Sequence, residues 1–235
     1  MDLGNGYGHL TYSMLVHPGD SWSDMKTSLT TYMPEVKKRF SPNAKMGVSF
    51  RMANATVQEL LSNPDQRQWL KNYCLENDLY IFTVNAFPFG PFKGQEVKAE
   101  VYEPDWTTEA RTQYTMNIAN ILAEVTASDV EPTIQSAPLA FRPKSQSAEY
   151  QDKFNENIYR VIAHLMKLEK ETGRRVKLAL EPEPFCFLET IPETVEWFKE
   201  KVYSLSAAER IVELSGQPRS EEHTSELQSH HDLVC

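Results

Sequence analysis

Two glutamates separated by a single proline are the sharpest chemical feature of the sequence, in the run Leu180-Glu181-Pro182-Glu183-Pro184. A residue that precedes proline is restricted to extended backbone, so Glu181 and Glu183 are both held extended. Two positions apart on extended backbone, their carboxylates project to the same side. Such a pair can bind a divalent cation, and either carboxylate can act as a general base. A solvated, acidic strand end is the alternative interpretation.

These glutamates follow the last of five short β-rich runs, which alternate with longer runs of helical periodicity. The alternation predicts an α/β fold with a parallel sheet and outer helices, in the form of a partial (β/α)8 TIM barrel of about the first five βα units. The predicted strands are 10–16, 46–51, 80–85, 133–137 and 176–180. The predicted helices begin near 21–23, 63, 108, 148 and 191, and Gly173 ends the fourth. A doubly wound sheet is the structural alternative, but its glycine-rich dinucleotide turn does not follow the first strand.

Alternation of side chains along the strands predicts which residues face the barrel interior. Bulky apolar residues occupy every second position, as in 46, 48 and 50, and these are expected to face the helices. The other set then faces inward, and its last members are Arg51, Asn85, Gln135 and Glu181. Because barrel sites lie at the carboxyl ends of the strands, we expect these four to line a polar small-molecule site, with Glu181 as the catalytic residue. A hydrogen-bonded structural network is the alternative.

Further candidates for substrate binding lie on the loops. The segment after the third strand is rich in aromatic residues, among them Phe87, Phe89 and Trp106, which are expected either to cover a ligand or to pack against neighbouring loops. His17 follows the first strand and is a further candidate, although a lone histidine is more often simply hydrogen-bonded.

Composition excludes several classes of function. The net charge is −9, which argues against nucleic acid as a partner because phosphate binding needs clustered Lys and Arg. No apolar run approaches the roughly 20 residues needed to span a bilayer, so direct membrane insertion is not expected. Three scattered cysteines argue against a disulfide framework, and we expect a cytoplasmic protein.

The last residues are predicted not to belong to the fold. Residues 219–230 have no strand or helix periodicity, and they resemble the translation of a sequencing-library adapter. We therefore divide the chain into a truncated barrel domain, 1–218, and a non-native, disordered tail, 219–235. The histidines of this tail are assigned no role in metal binding.

Three motifs together resemble one family. They are Val16-His17-Pro18-Gly19 with Ser21-Trp22; the loop with Asn85, Phe87-Pro88-Phe89-Gly90, Phe92, Gly94, Val97-Lys98, Val101-Tyr102 and Pro104-Asp105-Trp106; and Ala179-Leu180-Glu181-Pro182-Glu183-Pro184 with Cys186 and Leu188-Glu189-Thr190. The chain resembles the EboE-type metabolite traffic proteins of the xylose-isomerase-like TIM-barrel superfamily over residues 10–198.

This resemblance implies a protein that, with other products of its gene cluster, binds or modifies a small-molecule metabolite precursor for traffic toward the cell envelope. Relatives in the superfamily place a metal-binding Glu at the end of strand five, which makes Glu181, with Glu183 beside it, the metal candidate. A full-length protein could therefore hold a divalent metal, but none is expected in this chain alone. A metal-dependent sugar isomerase or epimerase, and a non-catalytic interaction module of an export assembly, are the alternatives.

Overall fold

The computed structural model describes residues 1–91, 98–216 and 233–234, and it shows an α/β fold built on a parallel sheet. The strands are β1 (Thr11–Ser13), β2 (Met46–Arg51), β3 (Leu79–Tyr80), β4 (Thr83–Asn85), β5 (Thr133–Ser136), β6 (Lys177–Leu180) and β7 (Leu233–Val234). Their order in the sheet is β1-β2-β4-β5-β6-β7, β3 also pairs with β2, and every pairing is parallel. Apart from β3 and β4, which both pair with β2, strands that are consecutive in the sequence are neighbours in the sheet.

Helices connect and cover these strands. They are α1 (Trp22–Phe40), α2 (Asn54–Ser62), α3 (Pro64–Glu76), α4 (Glu109–Val125), α5 (Ala148–Thr172), α6 (Ile191–Trp197) and α7 (Leu205–Ser215). A π-helical turn, Phe198–Val202, follows α6, and 3-10 turns occupy Met14–Val16, Lys98–Tyr102 and Arg142–Lys144. Two helices were not predicted: α2 lies between the predicted second strand and second helix, and α7 follows the predicted last helix.

Local side-chain chemistry sets the ends of the helices. Ser21 accepts a hydrogen bond from the backbone N–H of Asp24, whose carboxylate accepts one in return from the Ser21 N–H, so α1 begins with a capping box. Asn63 caps α3, and Pro64 is its first residue. Gly173 ends α5 with φ of +68°, a left-handed conformation that glycine adopts without steric cost. The predicted end of α5 at this glycine is confirmed.

The predicted orientation of β6 agrees with its alternating burial, and the core contacts of β2 fit the same arrangement. The bulky side chains of Val48, Phe50, Leu178 and Leu180 are at most 1% exposed, and they pack in the core beneath the helices. The residues between them are smaller or polar and occupy the opposite face of the sheet. Burying one apolar face against helices is the main stabilising term of such a layered fold.

The predicted third strand contains an extra residue. Gly47 pairs with Tyr80, and Phe50 pairs with Val84. Gly47 and Phe50 are three residues apart on β2, whereas their partners are four residues apart. This is a β-bulge, and it separates β3 from β4. The bulge brings the ring of Phe82 over Gly47, where a Cβ atom would lie 2.8 Å from the ring. Glycine at position 47 therefore makes room for Phe82.

Two predicted boundaries need correction. The first strand is shorter than predicted because Met14–Val16 forms a 3-10 helix, and the Ser13 side chain accepts a hydrogen bond from the backbone N–H of Leu15. The tail was expected to pack against nothing, yet Leu233 pairs with Leu178 and Val234 with Ala179 in the strand β7. That expectation is wrong for these two residues. Residues 217–232 and 235 lie outside the described residues. They include most of the tail that was predicted to be disordered.

None of the helices in the described ranges combines the length and the apolar content that a membrane span needs.

Candidate functional site

A cavity of about 460 Å³ lies on the sheet face opposite the helices, toward the carboxyl ends of the strands. Its polar lining residues are Ser13, Ser49, Thr83, Asn85, Gln135, Glu181 and Glu183. Its apolar lining residues are Leu15, Phe87, Pro88 and Val101. Three of the four predicted strand-end residues, Asn85, Gln135 and Glu181, therefore meet in one cavity. Both glutamates of the Glu-Pro-Glu-Pro run line it as well.

Three polar side chains on adjacent strands form a directed chain of hydrogen bonds in this cavity. The side-chain amide of Asn85 donates to Oε1 of Gln135 at 2.9 Å, and Nε2 of Gln135 donates to the carboxylate of Glu181. A carboxylate only accepts, so Gln135 must turn its NH₂ toward Glu181 and its carbonyl toward Asn85. Oδ1 of Asn85 in turn accepts from the N–H of Phe87 at 3.3 Å. Glu181 is therefore the last acceptor in this series of hydrogen bonds.

Arg51 does not line the cavity, which corrects its predicted place. Its side chain forms an ion pair with Asp20 and donates from Nη1 to the carbonyl of Gly90 at 3.0 Å. Burial lowers the pKa of Arg51 from its ordinary value, but the guanidinium keeps its charge because arginine titrates far above neutrality. The side chain therefore ties the loop after β4 to the segment that precedes α1, and its charge is neutralised there.

Glu183 is held by a residue that the sequence did not single out as part of the site. The hydroxyl of Tyr102 donates to Oε2 of Glu183 at 2.9 Å, and its ring stacks on Phe141 with a centroid distance of 6.0 Å. Burial, with hydrogen bonds to Cys186 and Glu183, raises the pKa of Tyr102, so its hydroxyl stays a donor. Tyr102 follows Val101 in the aromatic loop, and that motif was the only available signal.

Cys186 is not a nucleophile in this arrangement. Its side chain is fully buried, and burial raises the pKa of its thiol to about 11. A neutral thiol is a poor nucleophile and a poor metal ligand, since the thiolate is the reactive form.

The aromatic candidates separate into one cavity residue and two packing residues. Phe87 lines the cavity and meets the ring of Tyr102 edge-on at 5.5 Å. Phe89 packs instead on Tyr114, with ring centroids 5.0 Å apart. Trp106 is fully buried, and its indole N–H donates to the carbonyl of Ala137 at 3.1 Å. Phe89 and Trp106 therefore do not line this cavity, and their contacts fit the packing interpretation, whereas Phe92 lies outside the described residues.

A buried arginine, missed in the sequence, supports the loop that carries Phe87. Arg111 on α4 is 0% exposed and donates to the carbonyls of Pro104 and Ala86 at 2.8 Å and of Phe87 at 3.1 Å. Each of these carbonyls belongs to irregular backbone that would otherwise lack a partner in the interior. Arg111 thus positions one wall of the cavity without touching it.

His17 is not a cavity residue either. Its ring stacks on Tyr32 with centroids 4.0 Å apart, and its Nε2 lies 3.0 Å from the hydroxyl of Tyr12. The alternative interpretation, a hydrogen-bonded structural histidine, fits this position better than substrate binding.

Among the described residues, those at the cavity supply only part of a ligand set for a divalent metal. The part of the chain that the structure describes contains no group of three His, Cys, Asp or Glu residues able to hold an ion. Glu181 and Glu183 come from one strand end, and each carboxylate already accepts a hydrogen bond, from Gln135 and from Tyr102. A hard cation takes six or more oxygen ligands, of which this pair supplies a minority.

Comparison with known proteins gives no family assignment. No protein-family model matches the chain, and no curated protein matches it. The resemblance to the EboE-type proteins stays a prediction.

Proposed function

We propose that the chain is the five-unit part of a (β/α)8 barrel of the EboE type and that its cavity binds a small, polar metabolite precursor. The sequential parallel order of β1, β2, β4, β5 and β6, with helices between them, supports the barrel. The traffic of this precursor toward the cell envelope, together with other products of the same gene cluster, rests on the family resemblance alone.

The hydrogen-bonded chain from Asn85 through Gln135 to Glu181 carries the binding proposal. A purely structural interior at this level would be built from branched aliphatic residues, which pack without unsatisfied polar groups. The amides and the carboxylate instead face a cavity of about 460 Å³, within the size range of small-molecule sites. Their mutual hydrogen bonds hold each group in one orientation, so a ligand meets a preorganised surface.

Among these groups, Glu181 is the residue to which we assign proton transfer. Its carboxylate is the only one in the chain of hydrogen bonds, and Gln135 orients it. A ligand hydroxyl beside the carboxylate would find an acceptor in place, which is the geometry that general-base catalysis requires.

The two alternatives receive less support. A divalent-metal sugar isomerase or epimerase would need ligands beyond Glu181 and Glu183, which the described residues do not supply. A non-catalytic interaction module does not require a cavity, whereas this chain has one that is lined by seven polar residues.

Ligand-observed NMR with D-glucose, D-xylose and myo-inositol tests the binding proposal. Saturation transfer to at least one of these neutral polyols is expected with the unmodified chain. The signal should disappear in Gln135→Leu, which interrupts the hydrogen-bonded chain, and persist in Gln113→Leu, an exposed position on α4. Transfer to none of the three probes, or equal transfer in both variants, would contradict the proposal. Genomic sequence beyond Gln217 tests the barrel, because three further strand–helix units should follow.

A further inference from the structure

We infer that the cavity selects a ligand bearing a protonated amine among hydroxyl groups, as in an amino sugar or an aminocyclitol. This inference rests on the proposed function and names the chemical class of its ligand. Three features of the cavity carry it: the charge of the wall, the kind of hydrogen bond that its carboxylates can still make, and a buried hydroxyl that faces it.

The wall of the cavity is anionic. Its eleven described lining residues include Glu181 and Glu183 and no Lys, Arg or His. Arg51, the cation at the end of β2, is paired with Asp20, and Lys177 on the same sheet face is paired with Glu131. Within the described part of the chain, neither cavity glutamate has a cationic partner. The described lining would repel a phosphate or carboxylate ligand through its two carboxylates, and it would attract a cationic ligand.

The hydrogen bonds already present leave acceptor capacity at both carboxylates. Glu181 accepts from the amide of Gln135, and Glu183 accepts from the hydroxyl of Tyr102, so a neutral donor occupies one oxygen of each. A carboxylate offers about four acceptor positions and no donor, while an ammonium group offers three donors and no acceptor. The unused capacity of the pair therefore matches an ammonium group, and charge-assisted hydrogen bonds of this kind are the strong ones.

Ser49 supplies an independent sign of a ligand with hydroxyl groups. Its side chain lines the cavity and is only 6% exposed. Its hydroxyl forms no hydrogen bond to the described residues, and its side chain borders the cavity. A ligand hydroxyl would satisfy it, since serine both donates and accepts. Phe87, in the apolar part of the cavity lining, offers an aromatic face for the C–H groups of a ligand ring.

Three matched sugars distinguish the charge requirement from general sugar binding. D-glucosamine, D-glucose and D-glucuronate share one ring and carry charges of +1, 0 and −1 near neutral pH. Isothermal titration of the full chain at low salt should give an affinity for D-glucosamine at least about tenfold higher than for D-glucose. D-glucuronate should bind more weakly than D-glucose. The advantage of the amine should shrink as NaCl is added, because salt screens partly exposed charges.

Variants identify the groups responsible. Glu183→Gln and Glu181→Gln should each remove most of the advantage of D-glucosamine over D-glucose, whereas Glu209→Gln, an exposed position on α7, should leave it unchanged. Thermal unfolding of each variant shows that it is folded, and Glu183→Gln leaves the Asn85–Gln135 hydrogen bond intact. Equal affinity for D-glucose and D-glucosamine, or an advantage retained in both cavity variants, overturns the inference and leaves the proposed function standing. Failure of all three sugars to bind overturns the inference, and it overturns the proposed function as well if D-xylose and myo-inositol also fail to bind.

Discussion

The hydroxyl of Tyr102 donates a 2.9 Å hydrogen bond to Oε2 of Glu183, joining the turn that precedes α4 to the loop that follows β6. The ring of Tyr102 is held between Phe87, edge-on, and Phe141, stacked. The two ends of this bond lie 81 residues apart in the chain. The pair therefore fixes a carboxylate in the cavity by a contact between two separate loops.

Replacing Tyr102 with phenylalanine keeps the ring contacts and removes the donor to Glu183. The loss of one hydrogen bond at a partly exposed site should lower the free energy of unfolding by about 1 kcal/mol or less. The affinity for D-glucosamine should fall by roughly three- to tenfold, because the carboxylate loses its fixed orientation. Calorimetric titration measures this, with Tyr32→Phe as a control outside the cavity. An unchanged affinity would show that Tyr102 is structural only.

Gly47→Ala should destabilise the fold. The added Cβ would lie 2.8 Å from both the Phe82 ring and the Leu10 carbonyl oxygen, and overpacking of this kind costs roughly 1–3 kcal/mol. Gly19→Ala, where nothing lies within 4 Å of the new Cβ, should be close to neutral. Urea denaturation compares the two. Adding Phe82→Leu to Gly47→Ala should recover only part of the loss, since the carbonyl oxygen of Leu10 stays in place.

Arg111→Met should be among the most destabilising single changes in the chain. It removes three hydrogen bonds to the buried carbonyls of Pro104, Ala86 and Phe87, and we expect a loss on the order of 3 kcal/mol. Arg39→Met changes an exposed arginine paired with Glu35 four residues earlier and should cost less than about 0.5 kcal/mol. Equal midpoints of chemical unfolding for the two variants would show that Arg111 does not support the loop.

Glu193 should contribute to stability in a way that is lost at low pH. A hydrogen bond from Arg142 lowers the pKa of Glu193 to about 2, below its ordinary value of 4.5. Because the folded pKa is depressed, the contribution is fully present above pH 4.5 and disappears as the pH falls toward 2. The stability difference between the unmodified chain and Glu193→Gln should therefore shrink over this interval. Arg142→Leu should flatten the same part of the profile, and an unaltered slope in that variant would exclude Arg142 as the cause.

The full chain should bind no divalent metal tightly at the cavity. Glu181 and Glu183 together offer too few ligands for an ion that takes six or more oxygens. Calorimetric titration with Mn²⁺ should give no saturable binding at micromolar concentration. Mn²⁺ suits this test because it prefers oxygen ligands over the imidazoles of the tail. Micromolar binding that disappears in Glu181→Gln would reveal a sufficient ligand set and would favour the isomerase alternative.

Features that depend on near neighbours in the chain could be predicted from the sequence. The alternation of apolar residues in β2 and β6 predicted which side chains face the helices, because side chains on extended backbone alternate with a period of two. Ser21 and Gly173 marked helix ends through interactions within one turn. The same alternation predicted that Asn85, Gln135 and Glu181 would share one face, and they line one cavity.

Contacts between distant segments were decided only by the tertiary structure. Arg51 is the last residue of β2, as predicted, yet Asp20 and Gly90 hold its side chain outside the cavity. For Trp106 the sequence left open whether it covers a ligand or packs, and its indole N–H donates to the Ala137 carbonyl in the core. The Asp20 carboxylate that pairs with Arg51, and the Ala137 carbonyl that accepts from Trp106, each lie about 30 residues away in the chain. No local pattern encodes which distant partner satisfies a buried polar group, because that choice depends on how the strands and loops pack together.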